Sequence, residues 1–341
     1  MIEYELRVAL HEGLHNNLLI TDTLPQGLVF EGVVNINGDT SSPYNAVSPF
    51  VHNNITPVIS GDPVTGPTTV TYTLGDLTNV ADTDDLNDEF VIVYRARVLD
   101  NVHAQVNSTT LTNTAVLNYT TASGAQTDNS AVSVTLLQPG VTVTKSALAV
   151  EGDAVLVPNE VVTYTVNITN TGTTPVYDVV VEDVIPVGMR NSSITMLATS
   201  IQPAGIALTN IAPVYNATTG LASWNFDSGV ADTYSIPVGQ SLRLVYTVQA
   251  DAEIGAGLTL TNQAVATLYY SFDDEDVPVL GGITGVREIY GPSNTAITTL
   301  TTASPGVLLK ENPAVTNVTI GEIFTYTITV PEMPVATYLH D

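Results

Sequence analysis

Through most of this chain apolar and polar residues alternate one by one, and that period confines it to β-strands. In "VVTYTVNITNTG" (residues 161–172), "SLRLVYTVQAD" (241–251) and "FVIVYRARVLD" (90–100), Val, Ile, Leu and Tyr recur at every second place. On an extended backbone this spacing puts the apolar side chains on one face. Gly, Asn, Asp and Pro interrupt the runs at short intervals, and no long segment sustains a 3.6-residue helical period. The predicted fold is therefore all-β: tandem immunoglobulin-like antiparallel β-sandwiches with very little helix.

Such sandwiches need cores, and 44% hydrophobic against 12% charged residues supplies them. A net charge of −26 excludes nucleic acid as a partner, because phosphate binding needs clustered Lys and Arg. Cysteine is absent, which removes disulfides, thiolate metal sites and a cysteine nucleophile. No run approaches the ~20 apolar residues of a membrane span, and the start has neither the basic nor the apolar region of a secretory leader.

Internal similarity divides the chain. "LLITDTLPQGLVF" (18–30) matches "VVVEDVIPVGM" (179–189), and "LTNTAVLNYT" (111–120) matches "LTNQAVATLYY" (260–270). A third match joins "NEVVTYTVNI" (159–168) to "GEIFTYTITV" (321–330). The expected organisation is a first repeat over 1–138 lacking its opening strand, a complete repeat over 139–303, and the opening strands of a third repeat, or a donor segment, over 304–341. That order predicts a chain cut from a longer array in mid-repeat.

The chain holds two lysines, Lys145 in "GVTVTKSALAV" and Lys310 in "GVLLKENPAV". Both follow a Gly-Val opening, which suggests a shared chemical task. Lys310 stands one residue closer to that opening, so counting along a strand leaves the two free to face opposite sides.

Gly-Val then Lys, "NE" or "GE" before Tyr-Thr, Asp-x-hydrophobic-Pro-x-Gly and Thr-Asn-x-Ala-Val, in that order, resemble the tandem repeat domains of large bacterial and archaeal surface proteins. They are similar in particular to those related to isopeptide-forming, pilin-like fimbrial domains. The resemblance implies an early-strand lysine joined to a last-strand asparagine beside a carboxyl group. By position the complete repeat offers Lys145, Asp183 and Asn262. The first repeat offers Asp22 and Asn113 and needs a lysine from outside, while Lys310 belongs to the next. Burial would lower the lysine pKa and free its amine, and would hold the carboxyl protonated so that it polarises the amide. The bland reading of the same residues is that the aspartates cap turns before Pro25 and Pro186 and the asparagines bond only to backbone.

Two further motifs compete. "HEGLH" (11–15) has the H-E-x-x-H spacing of a zinc site, but Gly13 and the strand pattern that follows oppose the helix this site requires. Asp82, Asp84, Asp85 and Asp88, and separately Asp273, Asp274, Glu275 and Asp276, offer oxygen ligands for calcium without EF-hand spacing; solvated turns are the other reading. No other cofactor is expected. The function expected is that of an extracellular, cell-surface structural protein: a stalk, fibre or filament subunit, associating end to end or with neighbouring repeats. An adhesive or glycan-binding module is the alternative, and the only enzymatic step expected is single-turnover crosslinking.

Overall fold

A strand that is apolar on one face needs a second layer, and the computed structural model supplies it by facing two sheets across each of two cores. The structure describes residues 1–36, 55–79, 81, 88–99, 110–150, 152, 155–227, 234–274, 279–280, 283–284, 287–304, 309–311 and 317–329. Among these there is no helix, hence none long and apolar enough to cross a membrane. Contacts group Met1–Leu137 with Asp274–Glu288 as unit 1, and Gln138–Asp273 with Ile289–Asp341 as unit 2.

In unit 1, β1 (Ile2–Ala9), β2 (Gly13–Leu24), β3 (Leu28–Ile36), β4 (Val58–Gly61), β5 (Thr68–Asn79), β6 (Glu89–Val98), β7 (Thr110–Thr121) and β8 (Gly124–Thr135) form two sheets. Their orders are β1-β6-β3 and β4-β5-β2-β7-β8. Tyr4, Tyr72, Tyr94, Leu18, Ile20 and Leu24 fill the space between them.

Unit 2 repeats the plan with more strands: β9 (Val141–Ala149), β10 (Val155–Leu156), β11 (Val161–Asn170), β12 (Val176–Val184), β13 (Thr195–Gln202), β14 (Ile206–Leu208), β15 (Val214–Asn216), β16 (Leu221–Asn225), β17 (Ser235–Ile236), β18 (Ser241–Gln249) and β19 (Thr259–Tyr270). The short β20 (Val279–Leu280) and β21 (Ile283–Thr284), which group with unit 1, pair with each other, and β22 (Ala296–Thr302) completes the second sheet of unit 2. One sheet runs β14-β13-β18-β11-β9, the other β10-β22-β19-β12-β16-β15, with β17 beside β12. All described pairings are antiparallel except β10 with β22. Trp224, Tyr164, Tyr246 and Phe226 are the bulkiest members of this core.

Strand β9 is fixed at its start by a close backbone approach. A Cβ on Gly172 would stand 2.4 Å from the backbone of both Gln138 and Gly140, so only glycine fits in the turn that receives the Gly-Val opening. Along β9, Val141, Val143, Lys145, Ala147 and Ala149 share the inward face while Thr142, Thr144, Ser146 and Leu148 point to solvent. The alternation that defines a strand thus turns Lys145 into the sandwich.

Beyond residue 304, β23 (Leu309–Glu311) and β24 (Thr327–Thr329) form a two-stranded ladder. Its surroundings expose apolar groups, among them Ile320, Ile323, Tyr326 and Ile328.

Candidate crosslinking site

Lys145, Asp183 and Asn262 converge on the interior of unit 2. Lys145 comes from β9 in one sheet; Asp183 of β12 and Asn262 of β19 come from the other. Asp183 lies directly opposite Ala264, and Asn262, two residues away on β19, shares that face. The side chains of Lys145 and Asp183 have no solvent exposure, and Asn262 is buried.

Contacts inside the site are specific. Lys145 Nζ donates to Asp183 Oδ2 and, at 2.7 Å, to the Tyr246 hydroxyl, which itself donates to Asp183 Oδ2. The ammonium position also lies over the rings of Tyr164 and Tyr246, 4.7 and 5.2 Å from their centroids. Tyr246 stacks on Tyr164 and is held from behind by Trp224, whose ring centroid is 5.2 Å away. The Asn262 carboxamide reaches both phenols closely enough to favour their ionised forms, yet neither of its polar atoms completes a hydrogen bond of normal geometry. A buried amide left in that condition costs about 1–3 kcal/mol.

Burial sets the electrostatics. It pushes the Lys145 amine below its ordinary pKa, against the attraction of Asp183. It pushes the Asp183 carboxyl up, against the attraction of Lys145 and the Tyr246 hydrogen bond. Desolvation dominates in both because the pair is enclosed by aromatic rings, so both shifts favour a neutral amine beside a neutral carboxyl. The Tyr164 phenol is raised to about 12 by the same enclosure and remains protonated.

Unit 1 holds the same arrangement without the amine. Tyr4 faces Tyr94 across β1 and β6 as Tyr164 faces Tyr246, with ring centroids 5.4 and 5.5 Å apart. Asp22 lies opposite Ala115 as Asp183 lies opposite Ala264, and Tyr72 takes the place of Trp224. Here the Asn113 amide donates to the Tyr94 hydroxyl at 2.7 Å and to Asp22 at 3.4 Å, the two partners that lysine takes in unit 2. Asp22 is buried and its pKa raised by desolvation, partly offset by Tyr94 and Asn113.

Because the folded pKa of Asp22 exceeds the unfolded value, stability is unpenalised below the unfolded pKa and is lost as pH rises through the folded one. The melting transition of unit 1 across pH 4 to 8 should therefore show a decline that Asp22→Asn removes. An unchanged slope in that variant would mean that Asp22 ionises freely.

Lys310 is exposed, stacked on Tyr326 at 4.2 Å. It stands opposite Ile328 in the ladder as Lys145 stands opposite Val166, and each lies over the tyrosine two residues earlier. The two lysines therefore share one register, and the offset from the Gly-Val opening does not turn Lys310 to the other face.

The aspartates do not serve only to cap turns: both are inward-facing strand residues whose carboxylates meet tyrosines. Sequence reading missed those tyrosines. Their signal is the inner-face Tyr repeated in "VIVYRARV", "LRLVYTVQ" and the Tyr-Thr strands.

The other metal candidates do not all separate: Asp273 stands with Asp178, their carboxylate oxygens within 4.8 Å of each other. His15 and His11 do not share a helix; β2 begins at Gly13, and the His15 ring is buried against Tyr119 with Nε2 2.7 Å from the His11 carbonyl oxygen. Asp88 accepts a hydrogen bond from Asn79 at 2.7 Å. Asp82, Asp84, Asp85, Glu275 and Asp276 lie outside the described residues.

No family model and no curated protein matches the chain. Among solved structures it is similar to the C-terminal domain of the AgI/II polypeptide BspA of Streptococcus agalactiae, at 12% identity over 84% of this chain and 85% of that one, with a TM-score of 0.36. It is also similar to BcpA, the major pilin subunit of Bacillus cereus, at 7% identity over 69% and 63% with a TM-score of 0.32. The full-length major pilin SpaD of Corynebacterium diphtheriae matches at 13% identity over 83% and 59%, with a TM-score of 0.31.

Proposed function

We propose that this chain is a structural segment of an extracellular stalk, fibre or surface filament, built from tandem sandwiches and reinforced by a Lys145–Asn262 isopeptide bond. The observation that supports this reading is the dry convergence of an amine, a carboxyl and a carboxamide from two different sheets. In water the amine would be charged and the carboxylate ionised; here burial favours the neutral form of each.

The chemistry is an amide exchange. The lone pair of Lys145 Nζ attacks Asn262 Cγ while the Asp183 carboxyl donates its proton to the amide oxygen. Asp183 then takes a proton from the attacking nitrogen, passes it to the departing NH2, and regains its own proton from the oxygen as the carbonyl re-forms. One C–N bond forms, one breaks, and ammonia leaves. No oxidant or metal enters the balance.

Intact mass spectrometry of the folded chain should read ~17 Da below the sequence mass, the ammonia lost per bond. Asn262→Ala and Asp183→Asn should each restore their full calculated masses. An unaltered mass in the folded parent chain defeats the crosslink.

A further inference from the structure

The open side of β1 in unit 1 occupies the place that β9 fills in unit 2. Strand β11 pairs with β18 on one side and β9 on the other, whereas β1 pairs with β6 and, among the described residues, with nothing on its other side. A groove of about 460 Å3 runs there, with β1 along one wall, β7 and β8 along the other, and Ile20 and Asn113 within it. The register of β7 with β8 matches that of β19 with β22, so Val132 corresponds to Thr298 and Asp128 to Asn294. Asn294 latches β9: its amide donates to Val143 O at 2.9 Å and its oxygen accepts from Val143 N at 2.8 Å. Asp128 lines the groove at the same height, and Val132, 52% exposed, presents an uncovered apolar wall.

We propose that unit 1 captures β23 of a second copy of this chain in that groove, antiparallel to β1, and joins its Lys310 to Asn113. This rests on the amide exchange proposed for unit 2. Of the two lysines in the chain, Lys145 is enclosed and Lys310 is exposed; of the two acid–amide–tyrosine groups, that of unit 1 has no amine. Among the described residues strand β23 pairs with β24 alone, and a lone two-stranded ladder is marginal in water. Strand β1 offers the same partner: Leu6 stands two residues past Tyr4 as Ile328 stands two past Tyr326. Exchange therefore places Lys310 opposite Leu6 and over Tyr4, beside Asp22. An unpaired sheet edge supplies the backbone hydrogen bonds for such an addition.

The covalent step balances as in unit 2. Lys310 Nζ attacks Asn113 Cγ, Asp22 transfers the protons, and Nδ2 leaves as ammonia while Asn113 gives up its hydrogen bond to Tyr94.

The 341-residue chain, incubated at high concentration and boiled in detergent, should show a ladder of multimers, each link lighter by ~17 Da. Lys310→Ala and Asn113→Ala should each collapse the ladder while leaving the mass loss at Lys145 intact. Mixing these two variants should yield dimer and nothing larger, because one supplies only a groove and the other only a strand. Mass loss in unit 2 without any ladder overturns the capture but not the exchange chemistry. Absence of both overturns both, and a ladder that survives Asn113→Ala places the linkage elsewhere and overturns the capture.

Discussion

Replacing Asn262 with alanine is expected to lower the unfolding free energy of unit 2 by about 5 kcal/mol, the chain-entropy value for opening a covalent loop of roughly a hundred residues. The substitution isolates the bond. Asn262 completes no hydrogen bond of normal geometry, and Lys145 keeps both Asp183 and Tyr246 when the carboxamide is gone. Asp183→Ala should cost more, because it removes the bond and also leaves the buried Lys145 amine without its carboxyl partner, a further loss of about 1–3 kcal/mol for a buried polar group deprived of a hydrogen bond. Calorimetry of the parent and the two variants gives the order directly. Equal melting of parent and Asn262→Ala would show that no covalent loop closes.

Trp224→Ala is the second large effect, with an expected destabilisation of about 3–5 kcal/mol for removing a fully buried indole. It should also slow crosslinking. Trp224 stands against Tyr246, and the Tyr246 hydroxyl is the group that touches both Lys145 and Asp183. The cavity would let water to the pair, restore the charged amine and remove the nucleophile. Trp224→Phe should recover much of the stability, since most of the apolar volume returns. Freshly refolded Trp224→Ala should retain the ammonia mass for longer than the parent. Crosslinking at the parent rate would separate the aromatic wall from the chemistry.

Lys145, Asp183 and Asn262 are grouped in the sequence by the family resemblance and its motif order, and the structure puts each at an inner position of an alternating run, where the strand period alone would place it. Tyr246 and Tyr94 obeyed the same period but could not be singled out, because tyrosine is an ordinary filler of sandwich cores and its hydroxyl partner lies on the opposite sheet. Lys310 was harder still. Its distance from the Gly-Val opening suggests the wrong face, and only the pairing with Ile328 fixes its register. The "HEGLH" spacing carried a helical assumption that Gly13–Leu24 does not share. The open groove of unit 1 is a property of sheet order, and local sequence contains no statement about which edge a strand leaves uncovered.

The placement of Lys145 on an edge strand near the start of unit 2, and of Asn262 on a strand near its finish, has a mechanical consequence. Tension applied along the chain enters through β9 and leaves through β22, so with the bond in place the load passes from Nζ to Cγ and skips every residue between them. About 400 Å of contour that an unlinked sandwich could pay out under force would stay locked, at the ~3.3–3.6 Å each extended residue spans. Only the stretch from Asn262 through β22 could lengthen. Under a pull the unit would behave as a short inextensible link with one small shock-absorbing flap.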